Sequence, residues 1–269
     1  MSAIKTAVVG FGLSGRVFHC PFLHASDYFI LSRIVQNSAR TAGDIYPDIE
    51  MSSFKEVLED GEIELVVVAT PDKFHYDMAR EALEAGKDVV LEKPCAPTAA
   101  QARLLVECAE KQNKNLFIFH NRRWDGDFMT VSKVVSSEML GEIVEYEARY
   151  DRFKPDLNPK GWKEADEPSI TILHDLGTHI IDQTVALFGA PTALTATLAR
   201  QRAHSNIFDS FSAILDYQSF QATLKSSLLV REESPRYRIN GRRGSYVKYG
   251  VDPQESDLQA GRAPLDPAW

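Results

Sequence analysis

Val89-Val90-Leu91-Glu92-Lys93-Pro94 decides the reading of this chain. Its short apolar run suits a parallel strand buried on both faces, and it stops abruptly at an acid, a base and a proline. Open α/β sheets bind ligands outside the carboxyl ends of their strands, so Glu92 and Lys93 stand where chemistry is expected. Upstream, strands and helices alternate. Downstream, after one more helix and strand, the pattern becomes that of a different kind of sheet.

Working back from Lys93, the first strand leads into Gly10-Phe11-Gly12-Leu13-Ser14-Gly15, a G-x-G-x-x-G pattern between a strand and a helical stretch. The first glycine permits the tight turn, the second lets backbone approach a pyrophosphate, and the third allows close helix–strand packing. The helix N-terminus that follows offers free N–H groups to phosphates. An ordinary glycine-rich turn gives the same letters, but the place at the first strand–helix junction favours a dinucleotide. Pro21 is expected to kink or end that first helix. The second strand, Ile30 to Val35, runs into Gln36-Asn37-Ser38-Ala39-Arg40 with no acid to hold a ribose 2′-hydroxyl. Ser38 and Arg40 suit a 2′-phosphate instead, which favours NADP and leaves NAD possible. The alternative is that Arg40 only begins a surface helix. Leu65 to Ala69 is a further buried strand, ending in Thr70-Pro71 with His75 at the start of a helix. Thr70 and His75 share the edge of the glycine loop, although His75 alone reads better as a local cap or a solvated first-turn residue. Ser53 and Thr98 open capping boxes, and Gly86 stops a helix.

Beyond His120 the pattern changes. Val144, Tyr146, Ala148 and Tyr150 alternate with polar residues, as do Phe211 to Tyr217 and Ala222 to Val230. Strict alternation predicts a mostly antiparallel sheet with one wet face. Arg236 to Tyr249 reads as a hairpin around Asn240-Gly241. The expected fold is therefore α/β: an N-terminal Rossmann doubly wound parallel sheet over residues 1–122, then an α+β domain with a mostly antiparallel open sheet over 123–269. Between those later strands, Asp175 and His179 stand at i and i+4 of a helical stretch and share a face. A carboxylate beside an imidazole can orient the ring for proton transfer near neutral pH. The bland alternative is two polar residues near the start of an amphipathic helix. A metal held by His174, Asp175 and His179 is disfavoured because α-helical spacing scatters those ligands, and none is assigned.

The totals exclude several classes. With 269 residues, 44% hydrophobic and 25% charged, the chain can bury two modest cores. A net charge of −8 gives no footprint for nucleic acid or an anionic membrane surface. No apolar run is long enough to span a bilayer, and no signal peptide is read before the first strand. Cys20, Cys95 and Cys108 lack metal-type spacing and read as reduced thiols, so a cytoplasmic location is expected.

Taken together, Gly10-x-Gly12-x-x-Gly15, then Glu92-Lys93-Pro94, then Asp175-x-x-x-His179 resemble the glucose–fructose oxidoreductase/inositol dehydrogenase (Gfo/Idh/MocA) family over essentially the whole chain. Phe18-His19-Cys20-Pro21, His120-Asn121-Arg122-Arg123-Trp124-Asp125 and Gly244 to Gly250 look most similar to its bacterial NADP-linked scyllo-inositol dehydrogenase-like members. The resemblance implies hydride transfer with a sugar or cyclitol hydroxyl, with Lys93 on the reacting oxygen, His179 moving the proton and Asp175 holding substrate and His179. It further implies that the glycine loop (Phe11, Leu13 and Ser14 included), Thr70, Pro71, His75 and Glu92 line the cofactor. Arg123 and Trp124 would approach the nicotinamide, with Asn121 near the substrate. It admits a cis Lys93–Pro94 bond. The family also suggests a homo-oligomer, a dimer or tetramer. Two departures stand out: Glu167-Pro168-Ser169-Ile170-Thr171 replaces a glycine-rich turn, and the polar tail Gly261 to Trp269 ends short of the family pattern, as in a C-terminal truncation. The competing expectation is a non-catalytic dinucleotide-binding regulator or inactive homologue. A third is a glycosidase using the dinucleotide without net redox change.

Overall fold

The structure, a computed structural model, describes residues 2–37, 41–159, 161–165, 170–262, 264, 266 and 267. These form two compact units: Met1–Phe119 with Pro253–Trp269, and His120–Asp252.

In the first unit, β1 (Ile4–Val9), β2 (Phe29–Val35), β3 (Glu50–Ser52), β4 (Leu65–Val68), β5 (Asp88–Glu92) and β6 (Leu116–Phe119) form a parallel sheet ordered β3-β2-β1-β4-β5-β6. Continuous apolar runs suit it because successive side chains feed opposite faces. Ala7, Val9, Val66, Val68, Val89 and Leu91 enter one core, while Val8 and Val67 enter the other. The helices α1 (Cys20–Ala25), α2 (Thr41–Ile45), α3 (Phe54–Glu59), α4 (His75–Glu84) and α5 (Ala99–Gln112) link the strands. Ser53 and Glu56 make the expected reciprocal cap of α3, and the Thr98 hydroxyl accepts from the Gln101 N–H at the start of α5. Strand order reverses between β1 and β4, which opens a crevice at their carboxyl ends.

In the second unit, α6 (Gly126–Ser136) and α7 (Thr178–Phe188) cover one face of a sheet. Its strands are β7 (Ile143–Arg149), β8 (Ala193–Ala199), β9 (Ser210–Asp216), β10 (Gln221–Ser227), β11 (Tyr237–Gly241) and β12 (Ser245–Lys248), ordered β12-β11-β7-β10-β9-β8. The β7–β10 pair is parallel and the others antiparallel, and β11–β12 is the expected hairpin. Alternation places Tyr146, Ala148, Phe211, Ala213, Leu215, Ala222 and Leu224 in the core beneath Phe128, Val131 and Ile180. The edge strand β8 is exposed along its whole length.

One division differs from the sequence reading. Residues from Pro253 group with the first unit, because α8 (Gln254–Gln259) packs against Gly15–His19 and buries Leu258. The break after β6 falls between Phe119 and His120. Among the described residues no helix is long and apolar enough to cross a membrane.

A polar chain runs through the second core. The Tyr237 hydroxyl donates to Gln183 Oε1 at 2.8 Å, and Gln183 Nε2 donates to the Arg122 carbonyl at 2.7 Å. Tyr237 and Gln183 have no exposed surface. Gln183→Leu would leave a buried hydroxyl and a carbonyl unpaired, at a cost of about 2–4 kcal/mol, against about 1 kcal/mol for Tyr237→Phe. Urea unfolding of the double variant should recover at least about 0.5 kcal/mol relative to the sum, and strict additivity would refute the linkage.

Candidate functional site

The glycine loop follows β1. Gly10 has φ +105°, and a Cβ on it would lie 2.4 Å from the Ala69 carbonyl oxygen. A Cβ on Gly15 would lie 2.0 Å from the Gly10 carbonyl oxygen. The chain's own packing therefore demands the first and third glycines. At Gly12 a Cβ would meet no protein atom within 4 Å, so packing does not explain that glycine. Close approach of a ligand does, and the loop fits a dinucleotide pyrophosphate on that ground. Of the other loop residues, Phe11 is buried edge-on to Tyr46, and Leu13 is exposed.

Helix entry after the loop is π-helical over Gly15–His19, with the Cys20 N–H bonded to the Gly15 carbonyl. Pro21, which has no N–H, sits just inside α1. The turn directs Ser14 and His19 to one carboxylate. Glu92 Oε1 accepts from Ser14 Oγ and lies 3.0 Å from His19 Nε2, and Oε2 accepts from the Lys93 N–H at 3.2 Å. The His19 ring in turn lies 4.2 Å from that of Phe119. Burial acts to raise the Glu92 pKa, but the bond and charge of His19, the Ser14 bond and the Lys93 charge outweigh it. The net shift is below the ordinary 4.5.

Across the crevice, Thr70 Oγ1 is buried without a hydrogen-bond partner among the described residues. An orphaned hydroxyl at the β4 end is a second observation that fits a bound ligand. His75 is only 2% exposed, and its ring nitrogens face the Thr70 and Pro94 carbonyls. The Lys93–Pro94 peptide is cis, and Lys93 is half-buried. Ser38 and Arg40 lie outside the described residues.

In the second unit, Asn121–Trp124 forms a 3₁₀ turn. Arg123 donates to both carboxylate oxygens of Asp182, each at 2.7 Å, and His120 Nε2 lies 3.6 Å from the same carboxylate. Trp124 is exposed and Asn121 half-buried. Asp175 sits in a π-helical turn, Leu173–Gly177, and His179 in the first turn of α7. Asp175 is exposed, whereas His179 is buried with its ring 6.4 Å from that of Tyr150. Arg236 stacks over Tyr150 at 4.0 Å. The Nδ1 of His174 is engaged by Thr171 Oγ1 at 2.9 Å. Sequence reasoning passed over Asp182, Gln183 and His19. The available signal was Asp182 three residues after His179, near enough in sequence to share its helix face with a partner for the Arg122-Arg123 pair.

Residues 4–120 match the GFO/IDH/MocA oxidoreductase family, NAD-binding Rossmann fold, and residues 128–247 match the GFO/IDH/MocA C-terminal domain. The scyllo-inositol 2-dehydrogenase (NADP(+)) IolW of Bacillus subtilis is 40% identical over 270 residues, which span 100% of this chain and 75% of that protein. An oxidoreductase structure from Bacillus subtilis superposes with a TM-score of 0.92 at 40% identity, covering 99% of this chain and 75% of the other. One from Yersinia pestis does so with a TM-score of 0.93 at 36% identity, covering 100% and 76%.

Two outcomes follow from this geometry. Gly12→Ala should change unfolding free energy by less than about 0.5 kcal/mol while sharply weakening dinucleotide binding, whereas Gly15→Ala should destabilise the fold outright. Thermal unfolding with and without the dinucleotide separates the two. The second concerns acid. A carboxylate with a depressed folded pKa stabilises the fold above its unfolded pKa, and that stability is lost as pH falls through the folded value. Glu92 should thus contribute a loss of stability on acidification from about 4.5 downward. Denaturant titrations at stepped pH should show that Glu92→Gln removes this component, and an unchanged pH slope would exclude it.

Proposed function

The chain belongs to the Gfo/Idh/MocA family of oxidoreductases, and on that premise we propose that it interconverts a secondary alcohol of a sugar or cyclitol and the corresponding ketone, passing hydride to or from NADP. The observation that carries the reading is the buried Glu92, which bonds Ser14 of the glycine loop, His19 and the backbone N–H of Lys93, and so joins the lysine's backbone to that loop. Similarity to an NADP-dependent scyllo-inositol 2-dehydrogenase supports the substrate class.

Oxidation of a secondary alcohol removes a hydride from carbon and a proton from oxygen. The nicotinamide, when bound, supplies the hydride chemistry. Lys93 places its ammonium on the reacting oxygen, where charge develops, and stabilises it electrostatically. His179 takes the proton, with Asp175 holding substrate hydroxyls and the imidazole. Gly10, Gly12 and Gly15 accommodate the pyrophosphate, Ser38 and Arg40 the 2′-phosphate, and Thr70 and Pro71 the nicotinamide side. Arg123 and Trp124 are assigned to the nicotinamide and Asn121 to the substrate, with Arg123 held by Asp182. The free thiols suit a reducing cytoplasm, and the open sheet face carrying the exposed Ile214 and Val247 suits a homo-oligomer.

Lys93→Ala should lower kcat by about a hundredfold or more, with NADP affinity kept within about threefold. Arg40→Ala should weaken NADP by about tenfold and leave NAD unchanged. Steady-state turnover over a polyol panel, with dinucleotide binding measured separately, checks both. Intact NADP binding without turnover on any polyol would point to a dinucleotide-binding regulator, and a near-normal Lys93→Ala rate would exclude the assigned role.

A further inference from the structure

We infer that His75 is a positioning residue for Lys93: its buried ring bridges the carbonyl that follows β4 and the carbonyl that follows Lys93. The inference rests on the role proposed above for Lys93. His75 Nδ1 lies 2.7 Å from the Pro94 carbonyl oxygen, and Nε2 lies 2.8 Å from that of Thr70. A carbonyl only accepts, so the ring holds an oxygen through an N–H, with its other nitrogen packed against the second carbonyl.

The position of the ring sharpens the point. His75 is the first residue of α4 and only 2% exposed, so the helix start and its packing fix where the ring sits. Both nitrogens are thereby committed to backbone, and the ring acts on the cofactor side only through what it holds. Thr70 belongs to the segment against which Gly10 packs, and Pro94 is the residue after Lys93. Glu92 fixes the Lys93 N–H from the other side. Lys93 is thus gripped before and after by two buried side chains.

The test uses the full-length, ¹⁵N-labelled protein. Long-range ¹H–¹⁵N spectra, assigned with His75→Gln, should show a ring N–H of His75 protected from exchange with solvent, and a freely exchanging ring would overturn the bridge. With a substrate in hand, His75→Ala should lower kcat by about tenfold to a hundredfold while the NADP dissociation constant stays within about threefold. Parallel loss of NADP affinity would mean that His75 lines the cofactor directly. His75→Gln, which keeps a donor for one carbonyl, should recover part of kcat, and no recovery counts against positioning. If no polyol turns over, acetic anhydride labelling of Lys93, mapped by mass spectrometry, still separates the two ideas. Its rate should change at least about twofold in His75→Ala, and an unchanged rate overturns the inference.

Discussion

A carboxylate buried at the end of a strand must be paired, and Glu92 meets that constraint by joining three parts of the chain. Ser14 comes from the glycine loop, His19 from the helix entry and the Lys93 N–H from its own turn. The loop that would hold a pyrophosphate and the lysine assigned to the reacting oxygen are therefore one mechanical piece. Neither can shift by much without breaking a bond to a buried charge, which costs more than any exposed contact nearby could return. The low pKa of Glu92 is the electrostatic record of the same arrangement.

The second unit solves a similar problem on one helix. α7 presents His179, Asp182 and Gln183 within five residues, and the last two fasten the 3₁₀ turn that carries Asn121, Arg123 and Trp124. Gln183 passes the constraint onward to Tyr237 in the middle of the sheet. Because the proposed base and the anchors of its neighbouring segment share a helix, repacking beneath α7 moves them together. Arg123, expected from its family position to meet the cofactor, has its charge balanced by Asp182 first.

Much of this was legible in the sequence, for identifiable reasons. Uninterrupted apolar runs gave the parallel strands and strict alternation the antiparallel ones, because each pattern follows from how many faces are buried. Strand β8 escaped notice, since Ala193–Ala199 buries neither face and so carries no contrast to read. The grouping of the tail with the first unit was not legible, because nothing in its composition says that α8 lies against Gly15–His19. Asp182 and Gln183 look like the polar side of an amphipathic helix until partners about sixty residues away are in place. Ser38 and Arg40 still rest on the sequence argument alone.

The least legible feature is the shape of the two helix entries. Ser14 and His19 are five residues apart, and in an α-helix they would diverge by about 140° around the axis. The π-helical turn over Gly15–His19 closes on five residues instead, bringing both side chains to the same Glu92 oxygen. The same kind of turn recurs at Leu173–Gly177, just ahead of His179. There it removes the angular reason for setting His174 apart from His179, which assumed α geometry; the Thr171 bond to His174 Nδ1 does part of that work instead. Gly177 lets the turn pack closely, since a Cβ on it would lie 2.9 Å from side-chain carbons of both Leu173 and Phe211 and would make them shift. In each unit one helix entry near the proposed site residues is thus a wide turn, and that turn sets which residues share a face.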